Sequence, residues 1–189
     1  MNHNLYYVKL FSMKKILFTL LGFVVIIGIY FAYNILNPKS PLETVSSDDS
    51  NISITYSRPY KNDRLIFGEE NDGALVPFGV YWRTGANKHT FIETSETLKI
   101  GDEILNPGTY SIYTIPNSQS WDVFFNKEVN FFGISRPSSD SDVVSINALT
   151  NNLFNSVEQF TIGFSGDSIS NYIDFSWDKT KVSVPFSVK

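Results

Sequence analysis

Two hydrophobic patterns divide this chain. Residues 16–36, ILFTLLGFVVIIGIYFAYNIL, form an apolar run of 21 residues without one charged side chain. Downstream, apolar and polar residues alternate with a period of two, as in NISITYS and KVSVPFSV. A long apolar run predicts a membrane-spanning helix, whereas alternation predicts strands with one buried face. We therefore expect an apolar N-terminal helix followed by a β-rich domain.

The apolar run is long enough to cross a bilayer as a helix. At about 1.5 Å per residue, it spans a hydrocarbon core of roughly 30 Å. A cleavable signal peptide is the alternative, but its apolar region is usually about 7–15 residues long and ends in small residues. This run ends with Tyr30, Phe31 and Tyr33. We therefore expect an uncleaved signal anchor over residues 15–36.

The basic residues predict the orientation of this anchor. Lys9, Lys14 and Lys15 precede the apolar run, and no acidic residue occurs before Glu43. Positive charges flanking a membrane helix remain in the cytoplasm. Residues 1–14 are therefore expected in the cytoplasm, and the chain is expected to be a single-pass membrane protein with a periplasmic or extracellular domain.

The remaining chain is predicted to be a linker and one all-β domain. Residues 37–50 contain two prolines and no regular period, which favours a linker. Residues 51–189 contain about nine strand-like segments separated by turn signals. An antiparallel β-sandwich buries their apolar faces economically, and a closed barrel is the alternative. Gly101 and Asp102 predict a two-residue hairpin turn, and Pro185 predicts an edge position for the last strand.

Composition narrows the chemistry. The chain has no cysteine, which excludes disulfides, a thiol nucleophile, an iron–sulfur cluster and a cysteine zinc site. All 19 acidic residues follow residue 42, against 12 basic residues from Lys39 onward, so the domain carries a net charge of −7. An acidic domain lacks the basic footprint that nucleic acids require. We expect no nucleic-acid partner, no cofactor and no metal ion.

One stretch, FGVYWRTGANKHTFIE, concentrates chemically versatile side chains. Arg83 could hold an anion with two parallel hydrogen bonds while the neighbouring Trp82 stacks on it. Asn87 offers both a donor and an acceptor. The structural alternative is that Trp82 lies in the core, Arg83 pairs with an acid and Asn87 completes a turn. The residues alone leave both interpretations open.

Catalytic machinery is harder to recognise. His89 is the one candidate base on the exported side, and no Gly-x-Ser-x-Gly motif accompanies it. Carboxylate pairs, as in glycosidases, remain possible because their separation in space is not visible in a sequence. Residues 61–77 and 128–141 are predicted to be long loops, where function tends to be located. Catalytic residues therefore stay unassigned.

The motifs ITYSRP, RLIFG, VPFGVYWRTGAN, PGTYSIYTIP and WDVFFNK occur here in that order. In this order they resemble the bacterial family called domain of unknown function 2911, over about residues 51–189. The resemblance implies an exported all-β domain, in a family without an established activity. It singles out seven positions of the chain: Arg58, Arg64, Trp82, Arg83, Thr84, Gly85 and Asn87. His89 departs from the family pattern.

Two functions follow as hypotheses. The first is a membrane-anchored, envelope-facing binding or accessory module without catalysis, for a small anionic or carbohydrate ligand. Its candidate ligand-binding residues are Arg58, Arg64, Trp82, Arg83, Asn87 and His89. The second is a hydrolase that acts on envelope polysaccharide or peptide through carboxylates and His89. The oligomeric state is left open by the sequence.

Overall fold

The computed structural model divides the chain into two compact units, Met1–Lys39 and Ser40–Lys189. It describes residues 3–36, 39–48, 51–129, 135–166 and 170–189. Helix α1 (His3–Leu36) is the element of the first unit. Within it, Lys15–Asn34 has a mean hydropathy of 2.4 and no buried residues. By length and composition this helix can serve as a membrane anchor or as a signal sequence.

The second unit is built from strands. In chain order they are β1 (Leu42–Ser46), β2 (Ile52–Ser57), β3 (Phe67–Gly68), β4 (Val76–Pro77), β5 (Thr90–Thr94), β6 (Leu98–Ile100), β7 (Glu103–Leu105), β8 (Gly108–Pro116), β9 (Ser120–Asn126), β10 (Asp142–Gly166) and β11 (Asn171–Val188). Nine of them form one antiparallel sheet, and β3 pairs with β4 in parallel. The predicted antiparallel all-β class is therefore confirmed.

The strand order of the large sheet is β1-β2-β5-β8-β9-β10-β11-β6-β7. It begins and ends with different edge strands, so across the described ranges the sheet is not a closed barrel. Residues 37–50, expected to be a linker, contain β1, which pairs with β2 in register Leu42 to Ser57. The hairpin turn predicted at Gly101 and Asp102 is present, because these residues join β6 to β7.

Two long strands connect distant parts of the sheet. Residues 142–149 of β10 pair with β9, and residues 150–166 pair with β11. Strand β11 also pairs with β6 through residues 186–188. Strand β11 as a whole is not an edge strand, but its last residues pair with β6 alone, so the edge position predicted for Pro185 holds locally. The described ladder between β10 and β11 ends at Val182, so the missing N–H of Pro185 interrupts no bond in it.

Aromatic side chains fill the centre of the domain. The Trp82 and Trp177 rings stack 5.8 Å apart at 18°, and Trp121 meets Trp82 edge-on at 5.6 Å. Phe160 packs against Trp82 at 4.9 Å. All four side chains are buried, and such offset or edge-on pairs add to the stabilisation from burial. The core positions predicted for Trp121 and Trp177 are confirmed.

Arg58, which follows β2, binds parts of the chain that are distant in sequence. Its Nη1 lies 2.5 Å from Glu43 Oε2 in β1. Its Nε donates to the Phe160 carbonyl at 3.1 Å, and its Nη2 donates to Thr161 Oγ1 at 2.9 Å, both in β10. Gln159 Nε2 donates to the Arg58 carbonyl at 3.2 Å. The planar guanidinium thus joins β1 and β2 to β10.

We predict that Arg58→Lys destabilises the domain although the charge is kept. A lysine ammonium cannot reproduce the fork of three directed hydrogen bonds, so the free energy of unfolding should fall by about 1–2 kcal/mol. Chemical denaturation measures the change. Arg64→Lys is the matched control and should cost less than about 0.5 kcal/mol. Equal losses in the two variants would contradict this role of Arg58.

Candidate functional site

The motif loop, defined as residues 78–89, connects β4 to β5 and contacts β8 through Trp82. The Trp82 N–H donates to the Thr114 carbonyl at 2.8 Å, and the Thr114 N–H donates back at 2.9 Å. The indole Nε1 of Trp82 donates to the Gly85 carbonyl at 3.1 Å. Trp82 therefore fixes the loop both to the sheet and to itself, while its ring lies in the core.

The backbone of the motif loop restricts which residues it accepts. At Gly85 φ is 153°, and a Cβ there would lie 2.9 Å from the Ser57 carbonyl oxygen. Thr84 (φ 55°) and Asn87 (φ 61°) occupy the left-handed region, which costs a non-glycine residue about 1–3 kcal/mol. Thr90 Oγ1 donates to the Thr84 carbonyl at 2.5 Å and helps to hold this conformation.

Three of the six candidate residues are used by the fold itself. Arg58 joins three strands, and Trp82 is a core residue. Arg64 is exposed, and its guanidinium closes its own loop: Nε donates to the Lys61 carbonyl at 2.9 Å, and Nη2 donates to the Tyr60 carbonyl. No described hydrogen bond or ion pair connects Arg58 or Arg64 to the motif loop. The structure thus does not bring all six residues together.

The other three candidates share the motif loop. Arg83 is half-buried, and its Nη1 donates to the Asn87 carbonyl at 3.3 Å. Asn87 is exposed, so its side-chain amide faces solvent. His89 is only 3 % exposed. Arg83 and Asn87 are therefore the accessible polar side chains of this group, and His89 lies beneath the surface.

His89 connects the motif loop to a second loop, residues 135–141. Its Nε2 lies 2.7 Å from the Tyr81 hydroxyl, and that hydroxyl donates to the Ser135 carbonyl at 3.4 Å. Tyr81 and Ser135 are far apart in sequence. The pair of hydrogen bonds therefore shows that the motif loop and the 135–141 loop meet at Tyr81.

The surroundings of His89 favour its neutral form. Burial lowers its pKa below the usual 6.5, because an imidazolium loses solvation in the interior. A hydrogen bond with the Ser135 backbone and the charge of Glu128 act in the opposite direction, whereas the Arg83 charge lowers the pKa further. His89 is thus neutral at pH 7.

Burial raises the pKa of Tyr81 to about 12, against the opposing charges of Arg83 and Arg136. The Tyr81 ring also packs against Tyr113, with centroids 5.6 Å apart. The hydroxyl is therefore protonated at physiological pH and can donate a hydrogen bond. Both arginines lie close enough to act on it electrostatically, although they come from different loops.

A platform formed by Tyr113 and Phe124 supports Arg136. These two rings stack at 4.7 Å and 8° across β8 and β9. The guanidinium carbon of Arg136 lies 5.2 Å from the Tyr113 ring centroid, and its Nη2 donates to the Tyr113 hydroxyl at 3.2 Å. The Tyr113 hydroxyl in turn donates to Asp142 Oδ2 at 2.7 Å. Cation–π contact and hydrogen bond together orient Arg136.

Asn126 holds the 135–141 loop from below. It is fully buried, and its Nδ2 donates to the Ser138 carbonyl at 2.8 Å and to Asp142 Oδ1 at 2.7 Å. Its Oδ1 accepts from the Glu128 N–H at 2.8 Å. With its donors and acceptor used in this way, Asn126 fixes the position from which Arg136 projects.

Tyr113, Asn126 and Arg136 lie outside the candidate residues predicted from the sequence. One signal for them was available: the alternation in β8 and β9 buries Ile112 and Val123 in the core, so Tyr113 and Asn126 must lie on the opposite face. An asparagine and a tyrosine on that face, before a connection predicted to be a long loop, indicate a polar layer beneath it.

A shallow depression of about 600 Å³ lies elsewhere, at the other end of β2, β5 and β8. Hydroxyl side chains and Glu93 line it, and none of the six candidate residues does. His89 precedes the first residue of β5, whereas Thr94 at the last residue borders the depression. Within the described ranges, no three metal-ligating side chains lie together.

We predict that acid destabilises the domain through His89. Because its pKa is lower in the folded than in the unfolded state, the stabilisation is complete above the unfolded value of about 6.5. It is lost as the pH falls below that value towards the folded pKa. Urea unfolding over this range should show a smaller pH slope for His89→Gln. The control His3→Gln should keep the slope, and equal slopes in all three proteins would contradict the prediction.

No curated protein and no solved structure matches this chain. One family model does match, described as "Protein of unknown function (DUF2911)", over residues 38–186. This range includes β1 to β10, all but the last two residues of β11, the motif loop and the 135–141 loop. Because the match covers most of the 189 residues, the chain belongs to the DUF2911 family.

Proposed function

We propose that this protein is a membrane-anchored binding or accessory module without catalytic activity, whose β-rich domain faces the cell envelope outside the cytoplasm. One observation carries this proposal: the motif loop and the 135–141 loop meet at Tyr81. Around this junction lie Arg83, Asn87 and Arg136, which are half-buried or exposed. Loops converging on a rigid sheet are a common location for ligand recognition.

The geometry favours binding over hydrolysis. A hydrolase would need an accessible base or carboxylate pair. His89 is nearly fully buried and hydrogen-bonded to Tyr81. Two carboxylates near the junction make hydrogen bonds within the fold: Asp142 accepts from Tyr113 and Asn126, and Glu128 accepts from the 135–141 loop. These contacts support a recognition surface rather than a reaction centre.

We further infer that the large sheet folds over itself as a β-sandwich. The Tyr56 hydroxyl in β2 donates to the Ile162 carbonyl in β10 at 3.2 Å, and the Ile162 N–H donates back at 2.9 Å. Three strands lie between β2 and β10 in the sheet order. A contact across that separation requires strong curvature, which supports two facing layers around the tryptophan core.

The anchor is the second part of the proposal. Helix α1 has the length and hydropathy of a membrane span, and the aromatic residues at its C-terminal end lack the small-residue pattern of a signal cleavage site. The lysines before the span favour a cytoplasmic N-terminus. The domain would then be displayed in the periplasm or outside the cell.

We predict that the mature protein keeps helix α1. After cell fractionation the full-length chain should sediment with membranes and resist extraction by alkaline carbonate, because a spanning helix leaves the bilayer only in detergent. N-terminal sequencing should find residues that precede position 15. A soluble chain that begins after position 36 would contradict the anchor and leave the binding proposal intact.

We predict that the full-length protein retains a ligand during purification in mild detergent. Native mass spectrometry should detect an additional bound mass on the wild type. Arg83→Gln should reduce its occupancy by about tenfold, the effect of losing one charge-assisted contact. Arg64→Gln is the matched control, with the same change of charge outside the junction. A protein without any bound mass, or equal loss in both variants, would contradict a binding function at this surface.

A further inference from the structure

We propose that Arg83, Arg136 and the Tyr81 hydroxyl form a binding site for an oxyanion. Its ligand class is a molecule that carries a phosphate, sulfate or carboxylate group. This inference rests on the proposed binding function and names the chemistry of the ligand. Two of the three residues, Tyr81 and Arg136, lie outside the set expected from the sequence.

The Arg136 side chain is already oriented in a way that suits the binding of an anion. Its guanidinium is held by the Tyr113 ring at 5.2 Å and by one hydrogen bond to the Tyr113 hydroxyl. A guanidinium has five N–H donors in a planar fork, so this bond leaves four of them for other partners. The side chain is exposed. Stacking therefore fixes the orientation of the fork without using the donors that an oxyanion needs.

Arg83 reaches the same junction from the motif loop. Its one described side-chain hydrogen bond runs to the Asn87 carbonyl at 3.3 Å, within its own loop. The loop itself is fixed by Trp82 in the core and by the left-handed Thr84. A rigid loop lowers the entropy cost of holding a charged side chain in place, so Arg83 is partly preorganised for an anion.

Tyr81 is close enough to both arginines to be affected by their charges. Its hydroxyl is the group that joins the two loops. The hydroxyl can both donate and accept, and it is hydrogen-bonded to His89 on the buried side at 2.7 Å. The single proton of this hydroxyl is donated to the Ser135 carbonyl over a long distance of 3.4 Å, and an anion near the arginines would accept it in place of that carbonyl.

Ion pairing distinguishes these two arginines from three other cations of the domain. Those three are partly buried, and each has a carboxylate partner at 2.5–2.8 Å, in the pairs Arg58–Glu43, Lys61–Asp178 and Lys181–Asp174. In the part of the chain that the structure describes, neither Arg83 nor Arg136 has such a partner. Asp142 lies near Arg136, but its oxygens accept from Tyr113 and Asn126. Neither guanidinium is therefore neutralised by a direct ion pair, and an anionic ligand could supply one.

The net negative charge of the domain allows specific anion binding to be distinguished from non-specific attraction. With a net charge of −7 after residue 38, the domain as a whole repels anions rather than attracting them. Saturable binding of a small anion at constant ionic strength would therefore report a specific site. Non-specific attraction is weakened by salt and cannot saturate at one equivalent.

The test is a calorimetric titration of the full-length protein in detergent micelles with inorganic sulfate, and in parallel with acetate, at constant ionic strength. We expect saturable binding of at least one of the two, with one site per chain. A preference for sulfate indicates phosphate or sulfate groups, and a preference for acetate indicates carboxylates. Absence of saturable binding of both anions would overturn the inference.

Three variants locate the site. Arg83→Gln and Arg136→Gln should each weaken the affinity by about tenfold, and Tyr81→Phe by about threefold, in line with charged and neutral hydrogen bonds. Arg64→Gln should stay within about twofold of the wild type. Equal weakening by Arg64→Gln and Arg83→Gln would overturn the assignment, because the effect would then follow net charge alone.

Two further measurements distinguish a loss of binding from a loss of folding, and the oxyanion inference from the general binding function. Circular dichroism identifies any glutamine variant that does not fold. Arg83→Lys and Arg136→Lys then replace those variants. Because lysine lacks the bidentate fork of arginine, these variants should still weaken binding by about threefold. If a co-purified ligand proves uncharged and neither anion binds, the oxyanion inference fails while the binding function stands. If neither anion nor any co-purified ligand binds, both fail.

Discussion

Packing of the Trp82 ring against Trp177 and Trp121 is the interaction on which the rest of this domain depends. Trp82 belongs to a loop, yet its side chain lies in the centre of the core, and its backbone pairs with Thr114 of β8. The position of the motif loop is therefore set by the burial of an aromatic ring, the largest single source of apolar stabilisation that a residue can supply. The positions of the polar side chains on the motif loop therefore depend on the burial of the Trp82 ring.

This dependence explains why the residues of the WRTGAN motif have two different roles. Trp82 anchors the loop, and Gly85 allows its backbone to approach Ser57, where a Cβ would meet the carbonyl oxygen at 2.9 Å. Thr84 is fully buried and hydrogen-bonded in a left-handed conformation. Only Arg83 and Asn87 keep accessible polar side chains. Most of the motif is thus required for the shape of the loop, and a smaller part for what the loop could recognise.

Local patterns predicted much of the fold, because alternation and turn residues act over a few positions. The strands around Trp121 and Trp177 and the turn at Gly101 follow from such patterns. Long-range partners did not follow. Arg58 binds carbonyl and hydroxyl oxygens about one hundred residues away, which no local signal encodes. The junction at Tyr81 likewise depends on the register of β8, β9 and β10, which brings Tyr113, Asn126 and Asp142 together.

The contacts of Arg58 with the start of β1 have a mechanical consequence. The chain enters the sheet at an edge strand of five residues, where the Arg58 N–H donates to the Pro41 carbonyl at 2.8 Å and its side chain pairs with Glu43. A pulling force on the preceding residues would act on these bonds first and would break them one after another. Because the Arg58 side chain also binds β10, the load would pass from the edge strand into a central strand. The edge strand is therefore held to a central strand as well as to its neighbour β2.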